Sequence, residues 1–424
     1  MKRVLLGLAL VAALSAPAFA QAKITLTQMV SQGWTTEADE ALAQKFTTET
    51  GIGIEFQVVP ADQYSNLLKV KLSSGEAPDI FWIQSNKWTV KTDIDAEKNA
   101  LDLTNEPWVK TMPAGKIESV SYKGKVYGQG YYVKGISFPV VYNKTLFASL
   151  GLKVPRTYAE FQKVSDALLK AKVTPIFESI PAGWHHVLWV MQIGGQYAQL
   201  QPGVVEALNA NKITLSQVKP FVTAISQLQD IAKRGYFGKD YLANNLSDWE
   251  SQLAARKAAM VLSQPGDINT LKKDFPDTKD EFGIFLIPLA DNQLTQTDPA
   301  GPAHFGSKTS KYPEAIKKYF AFLARKENLQ YKLDHTDGWT AIDVADSVGI
   351  EQHYIPAEKE LLATNPKTGI IWQAAVSYVN DQWMEIGKDL TEMFLGRLTP
   401  EQVVKNADDR RAKIAKTAGD PAWK

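Results

Sequence analysis

Leu72-Ser73-Ser74-Gly75-Glu76-Ala77-Pro78-Asp79-Ile80-Phe81-Trp82-Ile83 holds a helix end, a turn and a buried strand in succession. Tyr64, Leu67, Leu68 and Leu72 recur at helical spacing and lead a helix into it. Gly75 supplies the left-handed residue that ends this helix, and Pro78 prevents it from resuming. Ile80 to Ile83 are apolar without a break, as in a strand covered on both faces. Gln84, Ser85 and Asn86 then place polar groups at the carboxyl end of that strand, where open α/β sheets bind ligands.

Upstream, Ile24, Leu26 and Gln28 alternate with Thr25, Thr27 and Met29 as a first strand. Thr36 and Asp39 form a capping box for a helix that buries Leu42 and Phe46 and stops at Gly51. Ile52, Ile54, Phe56 and Val58 alternate as a second strand. The result is a βαβαβ run, and right-handed crossovers place its strands in one largely parallel sheet. Further along, Thr157 with Glu160 caps a helix carrying Phe161, Val164 and Leu168, and a strand follows at 173–177. Ala258 to Leu262 and Phe282 to Leu289 read as strands, and Tyr312 to Leu323 as a helix. Trp372, Val376, Trp383, Ile386 and Leu390 predict one late helix ending at Gly396, and Thr399-Pro400-Glu401-Gln402 opens the last one.

Several of these segments carry a resemblance. Ser74 to Phe81 looks like the SGxAPDIF signature of family 1 extracellular solute-binding proteins of ABC importers. Phe46 with Thr50-Gly51-Ile52 resembles that family's FxxxTGIxV. Tyr122 to Gly128 resembles its YxGKxYGxP turn without the usual proline, and Val141 to Phe147 with Gly151, Leu152 and Pro155 resembles YNKxLFxxxGLxxP. Weaker similarities at Ala258-Ala259-Met260, at Phe282 to Leu289 and at Thr399 to Gln402 extend it over most of the chain. The resemblance implies an α/β fold of two lobes, each a mostly parallel sheet flanked by helices, with a ligand cleft between them. It implies about three crossings between lobes, one lobe holding residues 21–133 and 302–345 and the other 134–301 and 346–424. It also implies a monomer that closes on a sugar or small oligosaccharide and delivers it to the permease subunits of an ABC transporter, with no catalysis and no cofactor.

Composition agrees with an exported globular protein. At 424 residues the chain suits two domains of ordinary size, and a net charge of +1 without a basic stripe gives no footing for nucleic acid. Met1-Lys2-Arg3, an apolar run from Val4 to Leu14 and Ala18-Phe19-Ala20 read as a cleavable signal peptide over residues 1–20, too short in its apolar core to span a bilayer. With no cysteine there is no residue for lipid acylation, so the expected location is the periplasm, with the mature chain starting near Gln21.

The residues that carry chemistry point to binding. No cysteine nucleophile and no Gly-x-Ser-x-Gly elbow are present. His185 and His186 are adjacent and cannot share a helical face as metal ligands, and Asp334 to Gly338 misses the calcium-loop spacing. Paired carboxylates for a secreted polysaccharide-degrading enzyme remain open, since no spacing singles a pair out. The 11 Trp, 15 Tyr and 17 Phe are the informative group, because an aromatic plane stacks on the C–H face of a sugar while polar groups take its hydroxyls. Most such rings are core. Those following strands or glycine turns are candidates: Trp34 after the first strand, Trp184 after Pro181-Ala182-Gly183, and Trp339 after Gly338. Gln84, Ser85 and Asn86 join them, as do Tyr131 and Tyr132 beside the crossover glycines Gly130 and Gly135. The resemblance adds Gln264 and Asp267 as pocket residues and Trp383 as a stacking ring, with Gln84, Asn86 and Asp267 expected on hydroxyls. A polyol phosphate is the alternative solute, and it would need an Arg or Lys cluster in the cleft.

Overall fold

The computed structural model describes residues 24–423; the expected signal peptide lies outside them. In chain order the strands are β1 (Ile24–Ser31), β2 (Ile52–Val59), β3 (Ile80–Ser85), the hairpin β4 (Ser121–Tyr122) and β5 (Lys125–Val126), and β6 (Gly128–Gln129). They continue as β7 (Val140–Asn143), β8 (Thr174–Ile176), β9 (Ala258–Leu262), β10 (Phe282–Phe285), β11 (Thr295–Thr297), β12 (Gly301–Gly306) and β13 (Thr368–Ile370). Two larger sheets result, ordered β2-β1-β3-β12-β6 and β10-β7-β9-β8.

The opening stretch folds as its residues dictate. The helix Ala61–Ser74 buries Tyr64, Leu68 and Leu72 and ends at Gly75, whose φ is 77°. Asp79 then works as a clamp. Its carboxylate accepts from Thr27 N at 2.9 Å on β1 and from the Ser310 hydroxyl at 2.6 Å, fixing where β3 begins. The helix Glu37–Thr50 has the Thr36–Asp39 capping box, and Gly51 closes it at φ 71°.

Pairing in the sheets is mixed, and this corrects the expectation of mostly parallel sheets. β1 runs parallel to β2 and β3, and β8 parallel to β9. β12 is antiparallel to β3 and β6, and β7 is antiparallel to β9 and β10. The reason lies in connectivity. Gly301 starts β12 opposite Ser85, where β3 ends, and Val140 starts β7 opposite Leu262, where β9 ends. Both strands enter their sheet from the other lobe, at the edge facing the cleft, so they must run against the strands that finish there.

Each sheet has its own apolar core. One gathers Leu26, Phe46, Phe81, Phe305, Phe320 and Ile342; the other gathers Phe161, Trp189, Phe221, Met260, Trp372 and Leu390. Where the chain passes between them the segments lie side by side. Val133 bridges Ile342, Asp343 N donates to Tyr132 O at 2.8 Å, and Ser137 N donates to Gln296 O at 2.9 Å. The single late helix is also corrected. A short helix, Trp372–Ala375, breaks before the helix Trp383–Phe394 begins. Tyr378 has φ 61° in the break. Asn209 holds Ala375 O and Ser377 N at 3.0 and 2.9 Å, and Arg411 Nε donates to Ser377 O at 2.8 Å. The break puts Trp383 at a helix start instead of midway along a packed face.

Candidate functional site

Between the sheets lies a cavity of about 360 Å³, lined from both lobes and from the crossing segments. On the first lobe β1 and β3 pair only at Gln28–Ile80 and Met29–Phe81, then separate toward the cavity. The Tyr64 hydroxyl fills the gap, accepting from Trp82 N–H at 3.1 Å and lying 3.1 Å from Met29 O. Trp34 packs edge-on against that ring, 5.4 Å between centroids, after a turn at Gly33 with φ 86°. The half-buried indole therefore faces the cavity from a braced position. Gln84 lines the same wall, as do Ala61, Ser65 and Lys69, which recur every four residues along one side of their helix.

The second lobe presents Trp184 and Trp383 together. Trp383 Nε1 donates to Trp184 O at 3.1 Å, and Trp184 is edge-on to Phe138 at 6.0 Å. Beneath Trp184, the buried Glu178 carboxylate takes His185 Nδ1 at 2.6 Å and Trp189 Nε1 at 2.9 Å, while His185 Nε2 is 2.9 Å from Leu262 O. Gly387 packs against this loop so closely that a Cβ there would lie 2.2 Å from Gly183 O. We predict that Gly387→Ala costs about 1–3 kcal/mol of stability, the usual range for forced overpacking. It should also weaken solute affinity, because the Gly183–Trp184 backbone must retreat. Denaturant melts and calorimetric titration of the same sample check both effects.

Charge in the cavity is balanced toward acid. Lys69, Lys134, Asp93, Asp298 and Asp381 line it, and no arginine does. Tyr132, at the first crossing, has its hydroxyl pushed up to about 12 by burial, with Asp298, Asp39 and Asp267 adding to the shift. Burial raises Asp298 as well, against the pull of Lys116.

Of the residues singled out from sequence, Trp34, Gln84, Tyr132, Trp184, Gln264 and Trp383 meet at this cavity. The other five do not line it. Ser85 is fully buried and donates to Gly301 O at 2.9 Å, tying β3 to β12. The Asn86 side chain accepts from Trp88 N and Thr89 N at 2.8 and 3.0 Å, capping the next turn. Tyr131 is buried, with its hydroxyl on Thr111. The Asp267 carboxylate accepts from Gln264 N at 2.9 Å and from the Ser263 hydroxyl, and burial pushes it up to about 6. Trp339 lines a separate, more open groove of about 570 Å³ with Lys273, Asp334 and His353, and meets Tyr132 edge-on at 5.1 Å. Sequence reading missed Lys69, Asp93, Phe138, Gln192, Gln373 and Asp381, which also line the cavity. Among the described residues no cluster of His, Cys, Asp and Glu is arranged to hold a metal ion.

The profile of bacterial extracellular solute-binding proteins matches residues 32–330, well over half of the chain. The chain belongs to that family. The multiple sugar-binding protein of Streptococcus mutans is 25% identical over 291 residues, an alignment spanning 66% of either chain, just under two thirds of that relative's length. The structure of a sugar transporter protein from Bacillus licheniformis in complex with stachyose superposes with a TM-score of 0.74 at 18% identity, covering 92% of this chain and 100% of that one. The solute-binding protein RafE in complex with raffinose gives a TM-score of 0.72 at 19% identity, covering 92% and 99%. At these identities the two structures establish the two-lobe solute-binding fold. The family is extracellular, and among the described residues no helix is long and apolar enough to cross a membrane.

Proposed function

We propose that this solute-binding protein captures a sugar or small oligosaccharide in the interlobe cavity and passes it to the permease subunits of an ABC importer. The observation that carries the reading is the facing of indoles across one cavity: Trp34 from the first lobe, Trp184 and Trp383 from the second. Such planes suit the C–H faces of a pyranose, while Gln84, Gln264, Gln192 and Gln373 offer amides to its hydroxyl edges. The relatives named for sugars support the same class of solute. A polyol phosphate is disfavoured, since three carboxylates outnumber two lysines in the lining and no arginine is there to fork onto a phosphate. Cleavage of the bound glycan forms no part of the reading: Asp93 is engaged by Lys69 at 2.9 Å and Asp381 by Thr92 at 2.7 Å.

The lobes then act as jaws. Residues 21–133 with 302–345 form one, residues 134–301 with 346–424 the other, and the bound sugar stabilises the closed arrangement by contacting both. The protein works as a periplasmic monomer after loss of residues 1–20, and the closed form is what the permease recognises. A thermal-shift panel of neutral mono-, di- and trisaccharides beside glycerol phosphates tests the solute class. We expect at least one neutral sugar to raise the melting temperature, since a ligand of the folded state stabilises by mass action. A response to the phosphates alone would reject the sugar reading.

A further inference from the structure

On one flank of the cavity the lobes touch through a small charged contact. The Thr92 hydroxyl, on the first lobe, donates to Asp381 Oδ1 at 2.7 Å on the second. Next to Thr92, Asp93 Oδ1 lies 2.9 Å from Lys69 Nζ. The other Asp381 oxygen is buried without a hydrogen-bond donor. Trp88 and Tyr378 approach to 6.3 Å between centroids, another contact joining the two lobes. Asp381 thus sits against Thr92, the chain neighbour of Asp93, so one carboxylate from each lobe lines this flank of the cavity beside a single lysine, and Glu385 adds a third negative charge near that lysine.

We propose that Asp93 and Asp381 form a proton-binding site shared by the two lobes, so that closure of the cleft takes up one proton and is favoured as the pH falls. The proton comes from solvent, bonds to the Asp381 oxygen that lacks a donor and removes the charge repulsion between the two carboxylates. With the lobes apart, Asp381 faces water and ionises near the ordinary carboxylate value, while Asp93 keeps Lys69 as its partner on its own lobe. Brought together, Asp381 is pushed up to about 7, first by burial and then by the charge of Asp93, with Thr92 and Lys69 opposing. The sign follows. The closed form holds more protons than the open form between these two values, so lowering the pH through that window favours closure by up to about tenfold per unit. Below the ordinary carboxylate value both forms are protonated and the gain is constant; above about 7 it is absent.

The inference rests on the two-lobe reading and not on the identity of the solute, so its test uses no sugar. The chain has no cysteine, so Lys318→Cys and Lys163→Cys place one spin label on an exposed helical site of each lobe. Electron–electron distance distributions are recorded on the full mature chain from pH 5 to pH 8. We expect the more compact population to grow toward pH 5. Asp381→Asn supplies a neutral donor at every pH, so that variant should be compact at pH 8 and lose the response. Asp93→Asn should move the midpoint down. Asp267, Glu250 and Asp337 also meet near the lobe contact at Gly266 and Gly338, with Asp267 at about 6 and Glu250 at about 7. The Asp381→Asn variant separates their effect. A distribution that does not change with pH, or a full response surviving in Asp381→Asn, overturns the proposal. A sugar panel without a hit leaves this result standing, so the two readings fail separately.

Discussion

Replacement of Glu178 by alanine will cost roughly 3–5 kcal/mol of folding stability, the cost of stripping a buried ion of its partner. Glu178 and His185 are 0% and 2% exposed, and their contact is 2.6 Å. Burial acts to raise Glu178, but the charge and hydrogen bond of His185 outweigh it and hold the carboxyl below its ordinary value. Burial acts to lower His185, and Glu178 outweighs that in turn, so the imidazole is held above its ordinary value. The pH dependence follows from these directions. The histidine's share is fully present below an unfolded value of about 6.5 and is lost as pH rises through the higher folded value. The glutamate's share is present above its unfolded value near 4.3 and is lost as pH falls through the lower folded one. The gap between wild type and Glu178→Ala should therefore be widest near pH 6 and narrow by pH 9. Urea midpoints at the two pH values measure it. An equal gap at both would mean that packing and the Trp189 hydrogen bond, and not ionic pairing, carry the cost.

The second large effect is on affinity. Trp34→Ala and Trp184→Ala should each weaken sugar binding about tenfold, as expected for roughly 1–1.5 kcal/mol per aromatic contact. Trp34 belongs to the wall built on β1, and Trp184 to the loop held by Glu178, His185 and Gly387. They share no supporting residue, so the losses should add to about a hundredfold in the double variant. Trp372, fully buried between Tyr197 and Phe221, is the control. Its truncation should cost about 3–5 kcal/mol of stability. Calorimetric titration and denaturant melts on the same proteins distinguish the two behaviours. Retained affinity in the Trp34/Trp184 double variant would remove both rings from the solute site.

What could be read from sequence was what neighbours in sequence decide. The Thr36–Asp39 box and the stops at Gly51 and Gly75 are local, and they stand where the residues placed them. The break after Trp372 was not legible, because Asn209 and Arg411, distant in sequence, hold it open against an unbroken helical periodicity. The antiparallel courses of β7 and β12 follow from crossing between lobes, which no local pattern records. Polar residues after a strand gave mixed results for one physical reason. Gln84 faces the cavity, whereas Ser85 and Asn86 spend their polar atoms on Gly301 O and on the backbone of Trp88 and Thr89. Lys69 had a visible signal, the Ala61-Ser65-Lys69 stripe of small and polar residues running beside Tyr64, Leu68 and Leu72 on the same helix. Asp381 had none, since its meeting with Thr92 depends on how the lobes close.

Hydrogen–deuterium exchange with and without the neutral sugar that raises the melting temperature most shows whether the solute seats between the lobes. Protection is expected in peptides covering Ser31 to Trp34, Tyr132 to Phe138, Trp184 to Gln192 and Gln373 to Met384, on both lobes at once. Protection confined to the Trp339 groove, around Lys326 to Trp339 and Gly349 to His353, would contradict it.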